Sequence, residues 1–221
     1  MAKINLDVDW KQYYKDHLVT IEEAAKHIEP GDVIFVGQAS MIPTAFFDYL
    51  YEHKEEYHDV TIFSNVYSAP ANMLFDHDTK KHFRLMSIYN LPLDRIALDS
   101  NIIEVLGAGY DQYDDALYEC GCNTGAYQVC PPDEDGYCNA GGYGVTSCKT
   151  LMKAYPFAKT FGFMDATGVY PAPGPRDTHC VHITEFDYII ENNTTAMFIP
   201  APQPTPVDEK IASYIIPYIK E

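Results

Sequence analysis

Basic residues are scarce in this chain, and between Arg95 and Lys149 there are none. The same interval holds nine Asp and Glu, and the whole chain carries 15 Lys and Arg against 32 Asp and Glu, a net charge of −17. A nucleic-acid surface needs Lys and Arg to replace phosphate counterions, so no nucleic-acid partner is expected. Residues 96–148 are equally unsuited to hold any polyanion by charge. A helix N-terminus, backbone amides or basic residues from elsewhere would have to do so. The plainer reading is a solvated acidic face that supports solubility. Long apolar runs are also missing, so no membrane span is expected. The opening Met1-Ala2-Lys3-Ile4-Asn5 runs into Asp7 and Asp9 without the apolar core of a signal peptide, which makes cytoplasmic residence the expectation.

Cysteine is present but unpatterned. Positions 120, 122, 130, 138, 148 and 180 form no zinc spacing, and Cys120-Gly121-Cys122 is too tight for an ordinary disulfide. Reduced, buried thiols are expected. His179-Cys180-Val181-His182 could offer soft ligands, but is read as structural, with no metal site.

At 221 residues and 25.0 kDa, with 47% hydrophobic residues, the chain is long enough for one large domain with a real core. Thr20 with Glu23 forms a capping box, and Ile21, Ala24, Ala25 and Ile28 make an apolar stripe that Pro30-Gly31 ends. Val33–Val36 reads as a buried strand, 37–43 as a loop, Thr44 to about His53 as a helix and Val60–Phe63 as the next strand. That β-loop-α-β order predicts a parallel sheet with a right-handed crossover. Further strands are expected at 83–89, 102–106, 125–129, 160–164, 188–190 and 196–199, and helices near 113–118 and 146–155. The expected fold class is α/β, an open, mostly parallel sheet with flanking helices.

One stretch carries more information than the rest: Cys130-Pro131-Pro132-Asp133-Glu134-Asp135-Gly136-Tyr137-Cys138, followed by Gly141, Gly142 and Gly144. Two prolines must stop the preceding strand, and Asp-Glu-Asp-Gly signals a turn with positive φ at the glycine. By itself this reads as a strand-to-helix loop, or as a place where a long ligand can approach the backbone. The order of residues, however, closely resembles the Ser-Pro-Pro-Asp-x-x-Gly-[Phe/Tyr]-Cys-x-x-Gly segment of the acetyl-CoA hydrolase / acetate and 4-hydroxybutyrate CoA-transferase family, with Cys130 in place of Ser. Trp10 and Tyr14, then Thr20-Ile21-Glu22-Glu23-Ala24 and Gly31-Asp32, resemble that family's opening. His182-Ile183-Thr184-Glu185-Phe186-Asp187 resembles a later segment of the same family.

The resemblance implies the three-layer CoA-transferase-like fold, and it covers nearly all of this chain but about the first half of a family member. It divides the chain into an N-terminal domain at 1–199, a Pro-rich linker at 200–206 and the start of a second domain at 207–221. Val207 to Lys220 patterns as an amphipathic helix, which Pro217 should kink or shorten at its last turn. No permanently bound cofactor is implied. Coenzyme A, acyl-CoA and a short-chain carboxylate of the acetate, butyrate or 4-hydroxybutyrate class are the implied substrates, and a second domain or subunit the implied partner, with homo-oligomerisation expected. The expected substrate- and CoA-binding residues are Gly37, Gln38, Met41, Pro43, Asn65, Pro132, Gly136 and Tyr137. In the first loop Gln38 stands for the family's usual His and Ile42 for its usual Glu. No catalytic residue is expected here, because the family's nucleophilic Glu lies in the second domain. The alternatives are half of an acetyl-CoA hydrolase, or a non-catalytic acyl-CoA- or protein-binding domain. The resemblance yields a direct expectation: the purified 221-residue chain will show no acetyl-CoA:acetate or butyryl-CoA:acetate exchange above background. Robust turnover free of contaminating enzyme would refute it.

Overall fold

The computed structural model describes residues 5–65, 71–109, 112–143, 157–167, 170–193 and 203–219. Seven parallel strands form the main sheet: β1 (Val33–Gln38), β2 (Val60–Asn65), β3 (Phe83–Ser87), β4 (Ile103–Val105), β5 (Thr124–Val129), β7 (Lys159–Met164) and β9 (Tyr188–Glu191). Their spatial order is β4-β3-β2-β1-β5-β7-β9. The chain therefore builds outward from β1 in one direction as far as β4, then returns to β1's other side and builds the opposite way. The reversal falls between β1 and β5, which pair in parallel at Ile34↔Thr124, Phe35↔Gly125 and Val36↔Ala126.

Burial on both faces explains why the central strands read as near-continuous apolar runs. Alternation along β1 sends Ile34 and Val36 to one core and Phe35 to the other. The first core contains Ala24 and Ala25 of α2 (Ile21–Ala25), Phe46, Phe47 and Leu50 of α3 (Thr44–Glu52), and Ala97 of α4 (Pro92–Asp99). The second is closed by Ala116 and Leu117 of α5 (Tyr113–Glu119) and by a two-stranded antiparallel sheet, β6 (Tyr137–Asn139) with β8 (Cys180–His182). A first helix, α1 (Trp10–Asp16), capped by Asp9, lies on the segment Ile183–Glu185. His17–Val19 then hydrogen-bonds alongside Ile189 of β9.

The seven expected strands that fall on described residues are present, with boundaries shifted by no more than two residues. The Thr20–Glu23 capping box is formed, but α2 ends at Ala25 rather than near Pro30. The expected elements at 146–155 and 196–199 lie outside the described residues. Four elements were not anticipated: α1, α4, the four-residue helix Arg176–His179 and the β6–β8 pair. The last described helix starts at Pro206, capped by Thr205, so it begins inside the segment expected to be a linker. After the short α6 (Arg176–His179), this is α7 (Pro206–Ile215), and Ile216–Tyr218 continues it as a 3₁₀ turn around Pro217. No residue of α7 is buried; Ile211, Tyr214 and Ile215 are at least half exposed. No described helix is long and apolar enough to cross a membrane.

The amino ends of β1, β5 and β7 are joined by one buried carboxylate. Asp32 is 4% exposed and accepts from Lys159 Nζ at 2.6 Å, Asn123 Nδ2 at 3.1 Å and the Glu29 amide at 2.8 Å. Asn123 Oδ1 in turn accepts the Val33 amide, and Lys159 also donates to the His27 carbonyl. Removing one partner of a buried pair typically costs about 3–5 kcal/mol, because the other is left uncompensated. Lys159 lies 3.6 Å from Glu29 and can turn to it, so Asp32→Ala should fall at the low end, about 3 kcal/mol, in urea unfolding with an unchanged slope. A loss below about 1 kcal/mol, the ordinary value of a surface pair, would show that the network is not structural.

Candidate functional site

In an open parallel sheet, ligands sit beyond the carboxyl ends of the strands at the point where the order reverses. Here that point is flanked by the segment after β1 and the segment after β5.

The β1 segment is tightly folded. Pairing with β2 slips between Phe35↔Phe63 and Gln38↔Asn65, a bulge that redirects the end of β1. Ala39 takes φ +49°, uncommon for a residue with a Cβ, and starts the 3₁₀ turn Ala39–Met41; Pro43 then precedes α3. A Cβ on Gly37 would collide with Met41 Cβ, so only glycine allows the chain to return on itself there. Gln38 and Met41 have no exposed surface, Pro43 is buried and Ser40 is half-buried. The five residues expected here, Gly37, Gln38, Met41, Pro43 and Asn65, thus gather at one carboxyl edge, with the Gln38 and Met41 side chains beneath the turn. The Gln128 side chain of β5 donates to the Ser40 carbonyl at 3.3 Å, tying the turn across the switch point.

The β5 segment leaves the same edge. The Cys130 amide donates to the Asn139 carbonyl at 2.8 Å, so the chain runs out over the second face and returns as β6. Asp133 organises the excursion. Its carboxylate accepts the amides of Asp135 and Tyr137, and its own amide donates to the Tyr137 carbonyl. Gly136 adopts φ +85°, as expected from sequence. A Cβ at Gly136 would stand 2.8 Å from Trp10 Cγ and 2.9 Å from His182 Nε2, so this glycine is where α1 and β8 pack onto the turn. Tyr137 meets the His182 ring edge-on at 4.9 Å. Burial pushes the His182 pKa below its ordinary value, against the raising effect of the Asp135 carbonyl and Asp133, and its Nδ1 lies 2.7 Å from Thr184 Oγ1.

Beside this turn, at the carboxyl ends of β5 and β7, lies a cleft of about 430 Å³ lined by Cys130, Pro131, Asp133, Tyr137, Asn139, Ala166, Pro171 and Cys180. Of the eight residues expected from sequence, Tyr137 reaches it directly, while Pro132 and Gly136 shape its turn. The 3₁₀ turn Gly141–Tyr143 links the two segments, because it abuts Ala39–Met41 and its first amide donates to Asn139 Oδ1. Arg176 was not anticipated. Its Nη1 donates to Asp135 Oδ2 at 2.7 Å and its Nη2 to Asp133 Oδ2 at 2.9 Å, with the guanidinium 4.7 Å over the Tyr137 ring. Forty-one and 43 residues separate it from these partners, so no local signal marked it. Asn139, Ala166, Pro171 and Cys180 were likewise found through the fold alone.

Two other features lie elsewhere. A groove of about 500 Å³ between α2 and α3 is lined by Glu22, Ala25, Lys26, Ile28, Tyr49, His53, Glu56 and Tyr57. It is larger than the cleft, but it lies away from the switch point. Glu55, Asp78 and His82 bring ligand-type atoms within 4.8 Å of one another ahead of β3. Lys54 and Lys81 already neutralise Asp78 there, so the group is a surface ion-pair cluster.

No family model matches the chain. Over 206 residues it is 27% identical to a probable butyrate:acetyl-CoA coenzyme A-transferase of Syntrophomonas wolfei, covering 92% of this chain and 45% of that protein. It is 22% identical to a 4-hydroxybutyrate coenzyme A transferase of Clostridium kluyveri, covering 92% and 46%. The chain thus spans about half the length of the curated relatives it matches. Among solved structures, RipA from Yersinia pestis superposes with a TM-score of 0.80 at 19% identity, over 95% of this chain and 49% of that one. A 4-hydroxybutyrate CoA-transferase from Porphyromonas gingivalis gives 0.65 at 18%, over 88% and 43%. A chain of the decarboxylase AibA/AibB gives 0.53 at 14%, over 90% and 92%. The resemblance read from the motifs is therefore borne out, and the fold is CoA-transferase-like.

The Cys130 thiol is pushed up to about 11, mainly by burial and then by Cys180 and Asp165. Only the thiolate is nucleophilic, and a raised pKa keeps the group a thiol at neutral pH. Iodoacetamide labelling of Cys130, followed by peptide mass spectrometry, should therefore be slow at pH 7 and still rise with pH beyond the ordinary thiol range. A rate that levels off near neutrality would show an activated thiol instead.

Proposed function

We propose that this chain is the N-terminal half, or a subunit, of an enzyme that moves CoA between a short-chain acyl-CoA and a carboxylate of the acetate, butyrate or 4-hydroxybutyrate class. The observation that carries this reading is the position of the Pro131–Cys138 turn. The segment of strongest resemblance forms the wall of a cleft at the carboxyl edge, next to the strand-order reversal. The similarity to two CoA-transferases over 92% of the chain supports the same reading.

In the reaction this implies, a glutamate outside these 221 residues attacks the thioester carbonyl and expels the CoA thiolate, leaving an acyl-glutamyl anhydride. The thiolate attacks the glutamyl carbonyl, releasing the carboxylate and forming a glutamyl-CoA thioester that an acceptor carboxylate then resolves. The residues of this chain supply shape and exclusion of water. Of the cleft walls, Cys130, Pro131, Asn139, Ala166, Pro171 and Cys180 are uncharged and small, Tyr137 adds one flat face, and the charge of Asp133 is taken up by Arg176 and by the turn amides. Such walls accommodate a narrow uncharged ligand segment. Asn139 Oδ1 accepts the Gly141 and Ala172 amides and its Nδ2 donates to the Ala172 carbonyl, so the side chain holds the wall. Gly37, Gln38, Met41, Pro43 and Asn65 would form the floor on the β1–β2 side, reached by a ligand when the Ala39–Met41 turn shifts. Cys130 stays a thiol and takes no covalent role.

α7 and the turn after it fit an element that another domain or subunit covers, since Ile211 and Ile215 of the helix and Ile216 and Ile219 beyond it are at least half exposed.

Isothermal titration of the 221-residue chain with CoA and butyryl-CoA tests the reading. Saturable binding is expected, and Tyr137→Ala should weaken it about tenfold, or about 1.4 kcal/mol, with an unchanged far-UV spectrum. Absence of saturable binding to either ligand by the unaltered chain would overturn it.

A further inference from the structure

The acidity of the chain leaves a polyanionic ligand with few cations to meet. Among the described residues no Lys or Arg lines the cleft, and Arg176 is a cation that touches two of its lining residues, Asp133 and Tyr137. Its guanidinium presents two N–H donors to oxygens of two different carboxylates, a fork that a single phosphate group can also satisfy.

The two carboxylates are not equivalent. Asp133 is committed, because its other oxygen accepts the Asp135 and Tyr137 amides and sets the turn. The Asp135 side chain is 64% exposed and pairs with Arg176 through Oδ2 at 2.7 Å. Exposed ion pairs of this kind contribute little, since water compensates each partner on separation. Arg176 is therefore oriented by Asp133 and by the Tyr137 ring beneath it, while its Nη1 is held by a partner that can swing into solvent.

We infer that Arg176 is an exchangeable anion anchor, which releases Asp135 and takes a phosphate of the ligand at Nη1 while Asp133 and Tyr137 keep its plane fixed. Resting on the CoA reading, this names the phosphate end of CoA as the group received, with the uncharged pantetheine arm in the cleft. Asp135 is then a built-in competitor. With Asp133 it places two carboxylates against one guanidinium, so a polyanion gains most when Asp135 is neutralised.

The anchor makes a prediction of opposite signs that a purely structural clasp does not. CoA, pantetheine and inorganic pyrophosphate are titrated into the 221-residue chain and into Arg176→Gln, Arg176→Lys and Asp135→Asn, with circular dichroism as the folding control. Arg176→Gln should weaken CoA and pyrophosphate about tenfold, the loss of one charge-assisted contact, and leave pantetheine unchanged. Arg176→Lys should fall between, retaining charge without the fork. Asp135→Asn should tighten both anions. If Arg176→Gln and Asp135→Asn shift anion affinity in the same direction, or pantetheine falls with CoA, the pair is a structural clasp and the anchor is refuted. Pyrophosphate that follows the opposite signs while CoA and pantetheine fail to bind would sustain the anchor and remove the CoA reading. CoA binding untouched by both substitutions would do the reverse.

Discussion

The arrangement rests on the carboxylate of Asp32, which gathers three strand ends at the amino edge. It takes the Lys159 ammonium at the head of β7, the Asn123 amide just ahead of β5 and the Glu29 amide before β1. These strands are far apart in the chain, and a main-chain ladder repeats along its length, so side chains have to choose the register. Once the amino ends are tied, the pairings Ile34↔Thr124 and Thr124↔Lys159 are set. Each residue along β1 and β5 then arrives at the opposite edge at a fixed height, including Gln38 and Cys130. The site is therefore positioned from the far end of the sheet.

How much of this was legible depended on the kind of signal. The β-strands with continuous apolar runs, such as Val33–Val36 and Thr160–Met164, were read from sequence because burial on both faces leaves no alternative composition. β6 and β8 were missed because three-residue strands, Tyr-Cys-Asn and Cys-Val-His, carry no measurable period. α1 escaped because it buries no residue fully, and its Asp9 cap precedes a helix without a broad apolar stripe. The site divided in the same way. Glycine, proline and acidic turn chemistry marked Gly37, Pro43 and the Pro132–Tyr137 turn. Arg176 gave no signal, because the partners that define it are joined only by folding.

The residues that carried the family resemblance turn out to serve packing. Trp10 from the opening, Gly136 from the central motif and His182 from the later segment meet at one point, where a single added methyl group would collide with two rings. Tyr13 reaches the Phe186 carbonyl from the same helix, and the Phe186 ring lies against Gly162 of β7. Three segments spread over most of the chain thus constrain each other sterically, which explains why they can be recognised together at low overall identity. The polar residues that would discriminate ligands stand outside this contact.

Trp10 is the chain's one tryptophan, and its ring lies against the Gly136 backbone. Its fluorescence is consequently an intrinsic optical reporter placed on the cleft-wall turn, with no label required. Indole emission shifts to the red when water reaches the ring. Movement of the turn away from the indole would then be read directly as a change of wavelength.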